Sequence, residues 1–82
     1  MRSVLITGCS SGIGLCIAKG LKEKGYRVFA SARKSSDVKN LQNLGFESLL
    51  LDLSSSESIN AAVFKLFEMT DNLYALINNG AY

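Results

Sequence analysis

The sequence predicts an α/β fold in which a parallel sheet is flanked by helices. Three observations carry that expectation. Four short apolar runs alternate with three stretches of helical periodicity. The first run is nearly continuous in apolar residues, as expected of a parallel strand buried on both faces. A glycine-rich turn joins that run to the first helix. Strand alternating with helix implies βαβ units with right-handed crossovers.

Taken in order, the first strand is Ser3 to Thr7, and the first helix begins near Ser11-Gly12. Ile13, Ile17 and Leu21 recur every four residues and form its expected buried stripe. Gly25 follows Lys24 as a stop, because glycine accepts the left-handed conformation found after a helix. The second strand is Tyr26 to Ala32. A short second helix spans Ser36 to Asn43, with Val38 and Leu41 on its apolar face and Gly45 at its end. The third strand is Phe46 to Leu51. Ser54 followed by Glu57 then predicts a capping box, in which each side chain satisfies a free backbone N–H. The third helix it opens carries Ile59, Val63, Leu66 and Phe67 on one face, and the fourth strand is Leu73 to Asn78. The serines from Ser54 to Ser58 lead straight into that amphipathic helix, which argues against a linker. With no proline and no internal repeat, nothing marks a domain boundary, and residues 1–82 are predicted to lie in a single domain.

Composition narrows the function classes. A chain of 82 residues buries roughly 60% of its unfolded surface, so its stability would be marginal. Its net charge of +2, with basic residues scattered, argues against nucleic acid or a membrane surface as partner. No apolar stretch approaches the roughly 20 residues that span a bilayer, and Val4-Leu5-Ile6 is too short for a signal peptide. A cytoplasmic location is therefore expected. Cys9 and Cys16 form no C-x-x-C pair and there is no histidine, so no metal site is expected. Cys9 lies near a helix N-terminus, where a thiol pKa can fall, but is read as a small turn residue rather than a reactive one.

The turn Thr7-Gly8-Cys9-Ser10-Ser11-Gly12-Ile13-Gly14 carries the chemistry. A turn at the carboxyl end of the first strand aims a helix N-terminus at its ligand, and the free N–H groups and the dipole there favour a phosphate. Gly8 permits the tight turn, Gly12 lets a pyrophosphate approach the backbone, and Gly14 lets the helix pack closely on the strand. The P-loop is excluded because Gly12 is followed by Ile13 rather than lysine, and G-x-G-x-x-G fails because position 17 is Ile17.

With its spacing of T-G-x-x-x-G-x-G, the chain resembles the short-chain dehydrogenase/reductase family, and the resemblance runs from Ser3 to Ala81. It implies a Rossmann-type sheet with strand order 3-2-1-4 for these four strands. It also implies cofactor contacts from Gly8, Cys9, Ser10, Ser11, Gly12, Ile13 and Gly14. The second strand ends Ala30-Ser31-Ala32-Arg33-Lys34. An acid there would hydrogen-bond the ribose 2′-OH of NAD. Ala32 followed by Arg33, which can pair with a phosphate, implies NADP(H) as cofactor rather than NAD. Asp52, with Leu53, would contact the adenine, and Asp52 can also support the start of the third helix. The segment Asn78-Asn79-Gly80-Ala81 stands where the family usually has Asn-Asn-Ala-Gly, with the last two residues exchanged. By resemblance Asn79 and Gly80 lie beside the cofactor, and the amide of Asn79's neighbour helps tie the sheet together. The run Gly25 to Ala30 leading to Arg33-Lys34 is most similar to members acting on retinoids, steroids or other lipophilic alcohols and ketones.

The family transfers hydride with a tyrosine and a lysine four residues later, the lysine lowering the tyrosine pKa. Tyr26 is followed four later by Ala30, Tyr74 by Asn78, and Tyr82 is last, so no such pair is present and no catalytic residue is assigned. The expectation is a cofactor-binding portion of a longer NADP-dependent oxidoreductase of alcohols or carbonyls, inactive alone, whose parent is a homo-oligomer. In the family's order, 3-2-1-4-5-6-7, the fourth strand is interior. Left at an edge, its apolar run Leu73 to Ile77 would invite self-association. The alternatives are a non-catalytic nucleotide-sensing module and an inert half-domain.

Overall fold

The computed structural model describes residues 2–9, 12–70 and 72–79. The elements follow as β1 (Ser3–Ile6), α1 (Gly12–Glu23), β2 (Arg27–Ala32), α2 (Ser35–Asn43), β3 (Glu47–Leu50), α3 (Ser56–Met69) and β4 (Leu73–Ile77). The four strands form one parallel sheet in the order β3-β2-β1-β4. This is a Rossmann-like arrangement, and the predicted strands, helices and order are those observed. Because the strands are parallel, every strand-to-helix connection leaves the sheet at the same end. That is what collects Thr7, Arg33, Asp52 and Asn79 at one edge of the fold.

Strand alternation divides the core between two faces. Val4, Ile6, Val28, Ala30 and Ala32 point to one side, where they pack with Ala18, Leu41 and Phe46. Leu5, Phe29 and Leu49 point to the other, against Leu66 of α3. Phe29 is fully buried, a burial that contributes about 1.5–3 kcal/mol. The helices α1 and α2 stop as expected. Gly25 and Gly45 have φ of 92° and 94°. The next residues, Tyr26 and Phe46, donate back to the carbonyls of Leu21 and Leu41 at 3.1 Å, closing the same glycine-ended cap twice. At this same end of the sheet, opposite the strand-to-helix turns, Arg27 donates to both carboxylate oxygens of Glu47 at 2.7 and 2.8 Å.

Three local expectations are corrected. Ile13 is 72% exposed and is not part of a buried stripe; Gly14 and Ala18 are the buried residues of α1, with Ile17 and Leu21 half-buried beside them. One helical residue turns the side chain by about 100°, so burying Gly14 carries Ile13 outward. On α3 the buried residues are Ala62 and Leu66, while Val63 and Phe67 are exposed and Ile59 is half-buried. The helix sits one position round from the face chosen by hydrophobicity. Its cap is Ser55, whose side chain accepts from the Ser58 N–H, and not Ser54 paired with Glu57. Ser54 instead turns back onto Asp52.

β4 is an outer strand among the described residues, and Tyr74 and Leu76 are exposed on it. Its register against β1 shifts after Ser3, so that Ser3 pairs with Leu73 but Val4 pairs with Ala75. The ring of the extra residue, Tyr74, lies 4.5 Å from the Arg2 guanidinium. Among the described residues no helix is long and apolar enough to cross a membrane, and no three potential ligands cluster for a metal.

Candidate cofactor site

The end of β1 is tied to the end of β4 through Thr7. Its N–H donates to the Ile77 carbonyl at 3.0 Å, continuing the ladder one step past the strand. Its hydroxyl donates to Asn78 Oδ1 at 2.9 Å and accepts from the Asn79 N–H at 3.0 Å. Asn79 then reaches back with Nδ2 to the Gly8 carbonyl, 3.4 Å away. One hydroxyl thereby places both asparagines. Thr7 is 4% exposed, and both of its hydroxyl's roles are satisfied inside the protein.

The first turn of α1 is set against this corner by the absence of side chains. A Cβ on Gly14 would stand 2.4 Å from the Gly8 carbonyl oxygen and 2.6 Å from Asn79 Nδ2, distances no real contact allows. Gly14 is therefore required by close approach, the role its place in the motif suggests. Gly12 differs. Its φ is 66°, and a Cβ there would meet nothing within 4 Å. Among the described residues, then, nothing crowds the side of Gly12 where a side chain would stand, at the end of the helix whose N–H groups have no partner within it. Ile13 extends into solvent beside it. Ser10, Ser11 and Gly80, also assigned to the site from sequence, lie outside the described residues.

Cys9 faces the other way. It is fully buried, its N–H donates to the Ser31 carbonyl at 2.9 Å, and its thiol lies 3.3 Å from the Ile6 carbonyl. Burial pushes the Cys9 thiol pKa up, against a smaller lowering by its hydrogen bond with the Ser31 backbone. This is the reverse of the activation that a helix N-terminus offers an exposed cysteine.

The third part of the site is at the ends of β2 and β3. The Leu51 N–H donates to the Ala32 carbonyl at 2.9 Å, which carries the β2–β3 pairing to the strand ends and brings Arg33 and Asp52 into each other's field. Arg33 is exposed. Asp52 Oδ1 accepts from the hydroxyl and the N–H of Ser54 at 2.6 and 3.0 Å. These bonds, with a further contribution from the Arg33 charge, hold the Asp52 carboxyl below its usual range. The Asp52 N–H donates to Ser58 Oγ at 2.9 Å, so the start of α3 fixes the aspartate's backbone. Leu53 is half-buried in the intervening turn. Sequence reasoning did not find the bracing by Ser58 or Ser31. For Ser31 the signal was there: a hydroxyl between Ala30 and Ala32, near the buried end of its strand.

The sequence and fold that bring together a glycine at the start of α1, a cation after β2, an acid after β3 and two asparagines after β4 have many relatives. The family model described as short chain dehydrogenase matches residues 2–82. An Escherichia coli (strain K12) protein named "Uncharacterized oxidoreductase YbbO" is 48% identical over 82 residues, covering 99% of this chain and 30% of that protein. The NADPH-dependent 1-acyldihydroxyacetone phosphate reductase of Schizosaccharomyces pombe is 37% identical over 80 residues, covering 95% of this chain and 27% of that enzyme. Among solved structures, the Pseudomonas aeruginosa RhlG/NADP active-site complex superimposes with a TM-score of 0.88 at 35% identity, over 99% of this chain and 35% of that one. The chain thus spans about a third of the length of the proteins it matches. Sequence and fold agree: the chain belongs to the short-chain dehydrogenase family of oxidoreductases.

Proposed function

We propose that this chain is the adenosine- and pyrophosphate-binding portion of an NADP(H)-dependent oxidoreductase acting on an alcohol or carbonyl compound. On this proposal residues 1–82 form the N-terminal segment of one larger domain. The observation that carries it is the open start of α1. Gly12, with positive φ and free space where a Cβ would point, offers an unobstructed backbone to an anion, while Gly14 holds the helix hard against Gly8 and Asn79. When bound, the nicotinamide group supplies hydride transfer. The residues described here bind and orient it.

In this proposal Gly8, Cys9, Ser10, Ser11, Gly12, Ile13 and Gly14 form the pyrophosphate turn, Cys9 by bracing it from inside. Asp52 and Leu53 border the adenine, and Asn79 and Gly80 flank the adjoining ribose-side wall. Arg33 selects the phosphorylated cofactor, since Ala32 offers no acid to repel a 2′-phosphate or to bind a free 2′-OH. An NADP complex among similar structures and an NADPH-dependent relative support that preference.

The test is a titration of the full-length protein with NADPH and NADH. NADPH binds more tightly, and Arg33→Ala weakens it by about 1.5–3 kcal/mol, roughly 10- to 150-fold, with NADH unchanged. Equal affinities, or an Arg33→Ala protein that keeps its preference, would remove Arg33 from the site. We propose further that the parent enzyme is a homo-oligomer. The 82-residue chain alone self-associates through β4, where Tyr74 and Leu76 are exposed. A sharp monomer in light scattering at high concentration contradicts the latter.

A further inference from the structure

We infer that Ser31 is a positioning residue for the pyrophosphate turn, acting through Ile6 and Cys9 without touching the ligand. This inference rests on reading that turn as the pyrophosphate seat. Ser31 sits in β2, on the same face as Phe29, and is 1% exposed. Nothing in the packing of a strand buried on both faces asks for a hydroxyl there, and a buried one must find a partner. Its partner is the Ile6 carbonyl, the last of β1, at 2.9 Å. The carbonyl of the same serine accepts from the Cys9 N–H, also at 2.9 Å. Ser31 therefore holds the chain on both sides of the Thr7-Gly8 bend.

The Cys9 thiol lies 3.3 Å from the same Ile6 carbonyl and is the weaker of two donors converging on that oxygen. Without the serine hydroxyl, the thiol is the side-chain donor left on that carbonyl, beside the pairing of β1 with β2 and β4. The opposite side of the bend is held by Thr7 and Asn79. Ser31 also stands two residues before Arg33. The strand that presents the 2′-phosphate cation therefore carries the brace for the pyrophosphate turn, and β2 sets the distance between the two phosphate positions.

The experiment compares Ser31→Ala, Ser31→Thr and Ser31→Val in the full-length protein. Threonine and valine match in shape and differ by the hydroxyl. The probes are NADPH and adenosine 2′-monophosphate, which has the 2′-phosphate but no pyrophosphate. Ser31→Ala and Ser31→Val raise the NADPH Kd about five- to tenfold, as loss of one hydrogen bond allows, and Ser31→Thr stays within about twofold. All four proteins bind adenosine 2′-monophosphate alike. Unchanged NADPH affinity in the alanine and valine proteins overturns the inference. So do parallel losses for both probes, which would mark a general structural role.

A wild-type protein that does not bind NADPH overturns the proposed function instead. The backbone half of the brace, the Cys9 N–H on the Ser31 carbonyl, then stands or falls on amide hydrogen exchange in the wild type, and the hydroxyl half on whether Ser31→Val, unlike Ser31→Thr, speeds that exchange. The Cys9 amide exchanges as slowly as that of Phe29 if Ser31 holds it. Exchange at the rate of an open loop amide shows that it does not.

Discussion

Two strand-to-helix turns in this chain solve the same problem in opposite ways. Between β3 and α3 the backbone is satisfied from within. Asp52 accepts from Ser54, Ser55 caps the helix through Ser58, Ser58 accepts from Asp52, and the Ser55 N–H bonds the Asp52 carbonyl at 3.0 Å. Seven residues close on themselves. Between β1 and α1, apart from the Cys9 thiol on the Ile6 and Thr7 carbonyls, the hydrogen bonds of the described residues link the turn to other strands' ends: Thr7 to Ile77, Asn78 and Asn79, Gly8 to Asn79, and Cys9 to Ser31. The helix there starts on a glycine with empty space above it. A turn that caps itself is finished as structure. A turn gripped from outside at its flanks, with a glycine at its helix start, leaves room on the proposed reading for a ligand to take up its N–H groups.

Substitutions should separate the two turns, and the largest effect is expected at Gly14. Gly14→Ala drives a methyl into the Gly8 carbonyl and Asn79, so denaturant unfolding should show a loss of about 3 kcal/mol, and NADPH binding should be lost with it. If that variant is as stable as the wild type, the helix does not approach β1 as closely as described. Gly12→Ala meets no neighbour, so its stability cost is only the left-handed backbone, about 1–2 kcal/mol. Its NADPH affinity should nonetheless fall more than tenfold in a fluorescence titration. An alanine here that binds normally would mean that the open space is not the phosphate seat.

At the serine-rich turn the pattern should invert. Ser55→Ala removes the α3 cap and costs about 1 kcal/mol in thermal or denaturant unfolding, with NADPH affinity changed by less than about twofold. The smallest effect is a titration. The Asp52 carboxyl is held down chiefly by Ser54, so its stabilising contribution is present above the unfolded value, about pH 3.9, and is lost as pH falls through the lower folded value. Ser54→Ala should move the Asp52 pKa upward in a carbon-detected NMR titration. An Asp52 titration that does not respond to Ser54 would show that this turn is not self-contained.

The fold was legible because its signals are local. Gly25 and Gly45 mark helix ends by their own conformational freedom, and the apolar runs of β1 and β2 need no partner to be recognised. The errors share a physical cause. Hydrophobicity selects the largest apolar residue on a helix, but a helix lying close to a sheet puts its smallest residues on the contact line. Gly14 and Ala18 took the place expected of Ile13, and Ala62 that of Val63. The cap was displaced from Ser54 to Ser55 because adjacent serines offer equivalent caps, and only the path of the chain chooses between them. In the candidate site, the glycine spacing, Arg33 and Asp52 could be singled out from the sequence. The bonds that organise them could not, since Ser31 meets Ile6 across 25 positions and Thr7 meets Asn78 across 71.

That last separation has a consequence in time. The glycine turn is synthesised before the residues that grip its flank from the end of β4, which lie 71 and 72 positions further on. At roughly 5–20 residues per second, about 70 residues of synthesis put roughly 4–14 s between them. Through that interval β1 can pair only with β2, and Thr7 has neither asparagine to bind. Until Asn79 has left the ribosome, the turn can have its grip from β2 but not the one from beyond β4.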